Sequence, residues 1–220
     1  MLRRDYLVRM IEEMTEMIGK VFGLKQERKF IEALWEIDDL YKKQFRLNSN
    51  LLRALSARDI TEMFRSSGEI EADKLQSLAY LLKEEASIYY AMGQHNEGII
   101  CFMKSLHLYL TAAMNGADRS LWNLNEEVKE LLLHLKGYRL PTDTERLLFR
   151  FEEYEGRFDQ AENVLFRLLH DEAIPLDEGI AFYDRLLVLE PQILEQGGLP
   201  LSEVMEGLAE LQSRFLYSEI

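Results

Sequence analysis

Cysteine is all but missing from this chain: Cys101 stands alone among 220 residues, which excludes an internal disulfide and leaves stability to packing. Proline is scarce at four, and only twelve glycines interrupt the rest, so long segments are free of helix breakers. Positive charge is in deficit. Lysine and arginine number 26 against 39 aspartates and glutamates, and a formal charge of −13 repels phosphate backbones and anionic lipid. Neither nucleic acid nor a membrane is therefore expected as a partner. No apolar run reaches spanning length and no basic-plus-apolar leader opens the chain, which makes the cytoplasm the expected compartment.

Site chemistry has as little support. His95, His107, His134 and His170 show no paired-ligand spacing, and Glu130 with His134 is four apart rather than the Glu-x-x-His of di-iron bundles, so no metal or other cofactor is expected. A phosphate-cradling glycine loop and a nucleophile elbow are both missing. Adjacent acids such as Glu12-Glu13, Asp38-Asp39, Glu84-Glu85 and Glu152-Glu153 point about 100° apart on a helix and do not converge on a substrate. Cys101, inside an apolar helical run with no activating base nearby in sequence, reads as a small buried hydrophobe. An enzyme is the least favoured class.

What the chain has is helical period, and no segment alternates like a strand. Met10, Ile11, Met14, Ile18, Val21 and Phe22 form one stripe, and Phe30, Ala33, Leu34, Ile37, Leu40 and Tyr41 form a second, predicting an antiparallel hairpin of helices ending near 22 and spanning 26–45. The methionines Met1, Met10, Met14 and Met17 lie on or beside the first stripe and read as core. Arg3, Arg4 and Arg9 give helix one a basic start, but Glu12, Glu13 and Glu16 share its polar face, which argues against a membrane-surface anchor. Between 47 and 69 the pattern breaks into short helices, with Ser56 and Asp59 spaced as a capping box and Ser66, Ser67 and Gly68 as a stop. Long helices are predicted over 72–91 and 96–114, a single helix near 119–136, a hairpin turning at Gly156, and final helices over 177–189 and 202–217, their stripes including Ile180, Tyr183, Leu187 and then Val204, Leu208, Leu211, Phe215.

The segment Ala86, Tyr89, Gly93, Gly98, Phe102, Ser105 follows the small, aromatic, turn-glycine, small, aromatic, small order of a tetratricopeptide repeat. A second copy keeps Gly156, Phe158, Ala161 and Leu165, with Glu152 and Leu168 replacing the usual aromatic and small residues, and a third keeps only Phe30, Ala33, Ile37 and Leu40. The chain thus resembles tetratricopeptide-repeat proteins, and its opening Arg3-Arg4-Asp5-Tyr6-Leu7 with Arg9 resembles an uncharacterised bacterial family with such repeats, known only as a domain of unknown function. The resemblance implies an all-α fold: an irregular tetratricopeptide-like array of antiparallel helix hairpins in an α-α superhelix. One helical-repeat domain over 1–220 is expected, with an N-terminal hairpin (1–46), a short-helix insertion (47–70), repeats (71–172) and C-terminal helices (173–220). The resemblance supplies no catalytic residue to carry over.

In such arrays the first helix of each pair lines the concave groove. That position puts Lys83, Ser87, Tyr90, Arg146 and Arg150 inside, where gathered cations in an acidic protein suit an acidic segment or a C-terminal carboxylate of a protein or peptide partner. Ile31 and Trp35 sit 100° or more around the helix from the Phe30, Leu34, Ile37 stripe, which a second buried contact or an oligomer interface would explain. A non-catalytic intracellular scaffold binding a protein or peptide is the expected function, and a structural or regulatory homo-oligomer is the alternative.

Overall fold

The computed structural model describes residues 2–218, with side chains from Leu7 to Ser213. Arg3-Arg4-Asp5-Tyr6 and Phe215, expected at the two ends of the pattern, have side chains outside the described residues, and Met1 lies outside them altogether. Helix accounts for 77% of the chain, and no helix among the described residues is long and apolar enough to cross a membrane. Two compact units divide at Arg139 and Leu140.

The first unit contains α1 (Leu2–Gln26), α2 (Phe30–Leu40) running into a π-helical turn (Tyr41–Phe45), α3 (Ser49–Ala54), α4 (Ala57–Met63), α5 (Ala72–Ala91), α6 (His95–Met114), a 3-10 turn (Leu121–Asn123) and α7 (Leu124–His134). Its centre is the α5–α6 hairpin. The Ser105 hydroxyl donates to the Ala79 carbonyl at 2.7 Å, and a Cβ on Gly98 would lie 3.1 Å from the Ala86 carbonyl, so 79 faces 105 and 86 faces 98 in one antiparallel register. Small residues at these points let the two backbones approach, while Phe102 and Leu82, both nearly sealed from solvent, fill the space alongside. Tyr89 is 5% exposed, and Ala86, Phe102 and Ser105 are fully buried.

The hairpin turns at Gly93, whose φ of +76° lies in the left-handed region that glycine adopts without a Cβ clash. Gln94 N–H reaches the Tyr89 carbonyl at 2.9 Å and Gly93 N–H the Tyr90 carbonyl at 3.1 Å, closing the last turn of α5. Gly156, at φ +70°, closes α8 (Thr142–Tyr154) against α9 (Phe158–His170) in the second unit by the same pair of bonds.

Around α5 the neighbours are held by polar contacts. Trp122 donates its indole N–H to the Ser77 hydroxyl at 3.0 Å and stacks on Tyr80 at 4.5 Å, while Lys83 meets Glu127 and Glu130, so α7 runs parallel to α5. These contacts hold Trp122 and Asn123 at left-handed φ of +55° and +49°, which interrupts the single helix expected over 119–136. On the other side, Lys20 with Glu36 at 2.5 Å and Gln44 with Glu13 at 2.8 Å set α1 antiparallel to α2.

Several expectations shift in register. Helix one continues past Phe22 to Gln26, and helix two starts at Phe30 rather than 26, because Arg28 takes a left-handed φ of +59° and lets Lys29 N–H close onto the Leu24 carbonyl at 2.9 Å. Phe22, expected in the stripe, is 57% exposed. Ser56 does cap α4, accepting from Asp59 N–H at 3.1 Å. Residues 65–70, expected to hold no strand, form a minimal antiparallel hairpin: β1 (Arg65–Ser66) pairs with β2 (Glu69–Ile70). Ser67 and Gly68 both have positive φ, the geometry a two-residue hairpin turn demands.

The second unit adds α10 (Leu176–Leu187), α11 (Pro191–Gln196) and α12 (Leu201–Ser218). A Cβ on Gly179 would meet Leu211 and one on Gly207 would meet the Tyr183 hydroxyl, so α10 and α12 are antiparallel with small residues at the crossing. Gly179, Phe182, Tyr183 and Leu186 face inward, which turns the expected core residue Leu187 outward. Ala161 is fully buried in α9, and Glu152 is 4% exposed and paired with Arg157. Burial pushes the Glu152 carboxyl up, against the pull of Arg157.

The crossing at Gly98 gives a direct stability test. A Cβ there would also stand 2.9 Å from the Tyr90 ring, so Gly98→Leu is expected to cost about 1–3 kcal/mol by overpacking. Chemical denaturation measures this, and an unchanged midpoint contradicts the register.

Candidate functional site

Of the side chains expected to line a basic groove in the first unit, the cation is already engaged. Lys83 is 7% exposed, and its ammonium lies 2.5 Å from both Glu127 and Glu130. Burial disfavours the charged amine, but the hydrogen bonds to these two carboxylates outweigh it and hold the Lys83 pKa above the usual lysine value. The two acids differ in environment: burial pushes the enclosed Glu127 up, whereas for the half-exposed Glu130 the Lys83 contact overcomes burial and pulls it down. Ser87 receives a hydrogen bond from Lys25 of α1 at 2.6 Å. Tyr90 lies among rings, 4.5 Å from His95 and 5.8 Å from Phe102. In the second unit Arg146 donates to the Ala173 carbonyl, and Arg150 is exposed without an ion-pair partner among the described residues. Spacing tells which way a lysine points and not which carboxylates a neighbouring helix brings to it.

A buried polar cluster, also unforeseen, joins four elements. The Tyr41 hydroxyl of the π-turn donates to Glu85 Oε2 of α5 at 2.8 Å, and Arg53 Nη1 of α3 donates to the Tyr89 hydroxyl at 2.6 Å. Lys104 of α6 donates to the carbonyls of Leu52 and Arg53 at 2.7 and 2.8 Å, satisfying the open end of α3. Glu85 is 1% exposed; burial pushes its carboxyl up, and bonding to Tyr41 and the Arg53 charge only partly offset this. Cys101, 2% exposed, has its thiol pushed to about 12 by burial, with Glu85 adding to it, so it is a thiol and not a nucleophile at neutral pH. No group of three or more His, Cys, Asp or Glu among the described residues could hold a metal ion.

The outer face of the first hairpin is different in kind. On α2 the buried residues Ala33, Ile37 and Leu40 turn Ile31 and Trp35 the other way, leaving them 49% and 68% exposed, one helical turn apart. Lys20 and Glu36 face each other across α1 and α2, and that register carries exposed Phe22 to the level of Trp35. An amphipathic surface helix presents polar residues at such positions. Ile31 and Trp35 break that rule. They are the sequence-expected pair that stands together with about half or more of each residue exposed.

The Glu85 cluster predicts a pH dependence with a definite sign. An acid whose folded pKa is raised stabilises the fold while protonated and loses that contribution as pH rises through its folded value. The stability of the wild-type protein relative to Glu85→Gln is therefore expected to fall as pH rises from 4.5, the ordinary glutamate value, toward neutrality. Denaturant midpoints across that range measure it, and a constant difference contradicts the burial argument.

No curated protein and no solved structure gives a significant match to this chain. A protein-family comparison matches residues 1–216, nearly the whole length, to a family of unknown function. The chain belongs to that family, DUF6483.

Proposed function

We propose that this chain is a non-catalytic, tetratricopeptide-like scaffold that binds a protein partner through the outer face of its first hairpin. The observation that carries this reading is Trp35, 68% exposed and one turn from half-exposed Ile31 on a helix whose other side is sealed. Tryptophan so placed offers a large apolar area at little entropic cost on association, and such side chains dominate interface energetics. The repeat-like reading is supported by the shared turn at Gly93 and Gly156, the small residues at the α5–α6 crossing, and α7 parallel to α5, as the first helices of successive repeats are. The non-catalytic reading is supported by chemistry already spent inside the fold: Glu85 bonded to Tyr41, Lys83 to two glutamates, Cys101 sealed.

With Lys83 and Arg146 occupied by their own chain, an acidic peptide in a basic groove retains only Arg150 from the expected set, so apolar recognition is the better-supported chemistry. A second copy of the chain is the alternative occupant of the same face.

Affinity capture from the native host with wild-type protein and with Ile31→Ser/Trp35→Ser on matched beads tests the proposal. The double variant is expected to keep its melting temperature, because both residues are exposed, while losing about tenfold or more in affinity for the captured partner. Equal binding by the two proteins contradicts it. Light scattering over a dilution series separates the alternative: a dimer that dissociates, and that Trp35→Ser abolishes, makes the partner another copy.

A further inference from the structure

A cavity of about 380 Å³ opens in the first unit beside the π-helical turn. Its volume falls in the small-molecule range. The apolar part of its wall is made by Phe45 and Phe64, whose ring centres are 5.9 Å apart, with the buried Leu47 and the half-exposed Met63. The polar part is Arg46, Gln44 and the Glu71–Lys74 pair. Three of these four polar groups are committed within the chain: Gln44 donates to Glu13 at 2.8 Å, and Lys74 lies 2.8 Å from Glu71. Arg46 has no such partner among the described residues, and its exposed guanidinium leaves the wall with one uncompensated positive charge in a protein of formal charge −13.

The backbone sets Arg46 there at a cost. The wide turn Tyr41–Phe45 ends with Arg46 in the left-handed region, φ +58°, and with Leu47 N–H bonded back to the Tyr41 carbonyl at 3.2 Å. A non-glycine residue in that region is strained, and π-turns and such outliers gather where function holds a side chain in place. The bond from Leu47 N–H and the burial of the Leu47 side chain offset that strain, and they fix Arg46 at the mouth of the cavity.

We propose that this cavity binds a small amphipathic carboxylate, an aromatic ring or short aliphatic chain bearing one carboxylate, with the carboxylate on the Arg46 guanidinium and the apolar body against Phe45, Phe64 and Met63. The planar guanidinium presents paired donors matched to a carboxylate, and the rings remove the body from water. This site is separate from the Ile31–Trp35 face, so either can fail alone.

The test uses the full chain with ¹³C-methyl methionine, the Met63 signal assigned by Met63→Leu, titrated with phenylacetate, phenylacetamide and acetate. Phenylacetate is expected to shift Met63 saturably, and acetate and phenylacetamide, each lacking one half of the recognition, to bind at least about tenfold more weakly. Arg46→Asn, which tolerates left-handed backbone, is expected to lose about tenfold in phenylacetate affinity, and Arg46→Lys to retain part of it. An unmoved Met63 signal, phenylacetamide binding as well as phenylacetate, or full affinity in Arg46→Asn each overturns the proposal.

Discussion

The first unit depends on the close approach of two helix backbones, where Ala86 of α5 faces Gly98 of α6 and Ala79 faces Ser105. Large side chains at these points would push the helices apart, and the flanking Phe102 and Leu82 would lose the contacts that make a core dense. Four neighbouring elements are tied to α5, and α3 is tied to α6 through Lys104. Glu85 takes Tyr41 of the π-turn, Lys83 takes the acids of α7, Ser77 takes Trp122, and Glu84 and Ser87 take Lys25 of α1. A hairpin held out of register would shift Lys104 of α6, and α3 with it, relative to the contacts that α5 makes.

Those contacts also explain how an acidic chain keeps its few interior charges. A buried lysine or glutamate is tolerable only when bonded, and removing one partner leaves the other exposed to the full desolvation penalty. Lys83 with two glutamates, Glu152 with Arg157, and Glu145 with Arg167 at 3.0 Å are such arrangements, each joining neighbouring helices. The consequence for recognition is that most cations are spent on cohesion. Outside stand apolar surface at Trp35 and, among the cations of the described residues without an ion-pair partner, the guanidinium groups of Arg46 and Arg150, so the proposed partner face and the proposed ligand site rest on different chemistry.

Much of the architecture was legible because its signals are local. Three- and four-residue spacing marked the helices, and Gly93 and Gly156 marked two turns because only glycine adopts positive φ freely. Arg28 and Glu172, at φ +59° and +53°, close α1 and α9 in the same way, yet neither residue type advertises a turn, so the first boundary was misplaced. Ile31 and Trp35 could be read as outward-facing from the stripe they leave. Lys83 could not be read as buried, since its partners Glu127 and Glu130 are brought to it by a helix more than forty residues on. The Arg46 cavity was illegible for a related reason: it exists only where a π-turn meets α4 and the segment around Glu71, and no single stretch of sequence encodes that meeting.

Hydrogen–deuterium exchange of the full chain, read by mass spectrometry, tests most directly whether the α5–α6 crossing anchors the first unit. Amides of α5 and α6 around Ala79–Ala86 and Gly98–Ser105 are predicted to exchange last in that unit, with α1, α2 and α7 opening earlier in sub-global steps. Faster exchange in α5 and α6 than in the α1–α2 hairpin would contradict it.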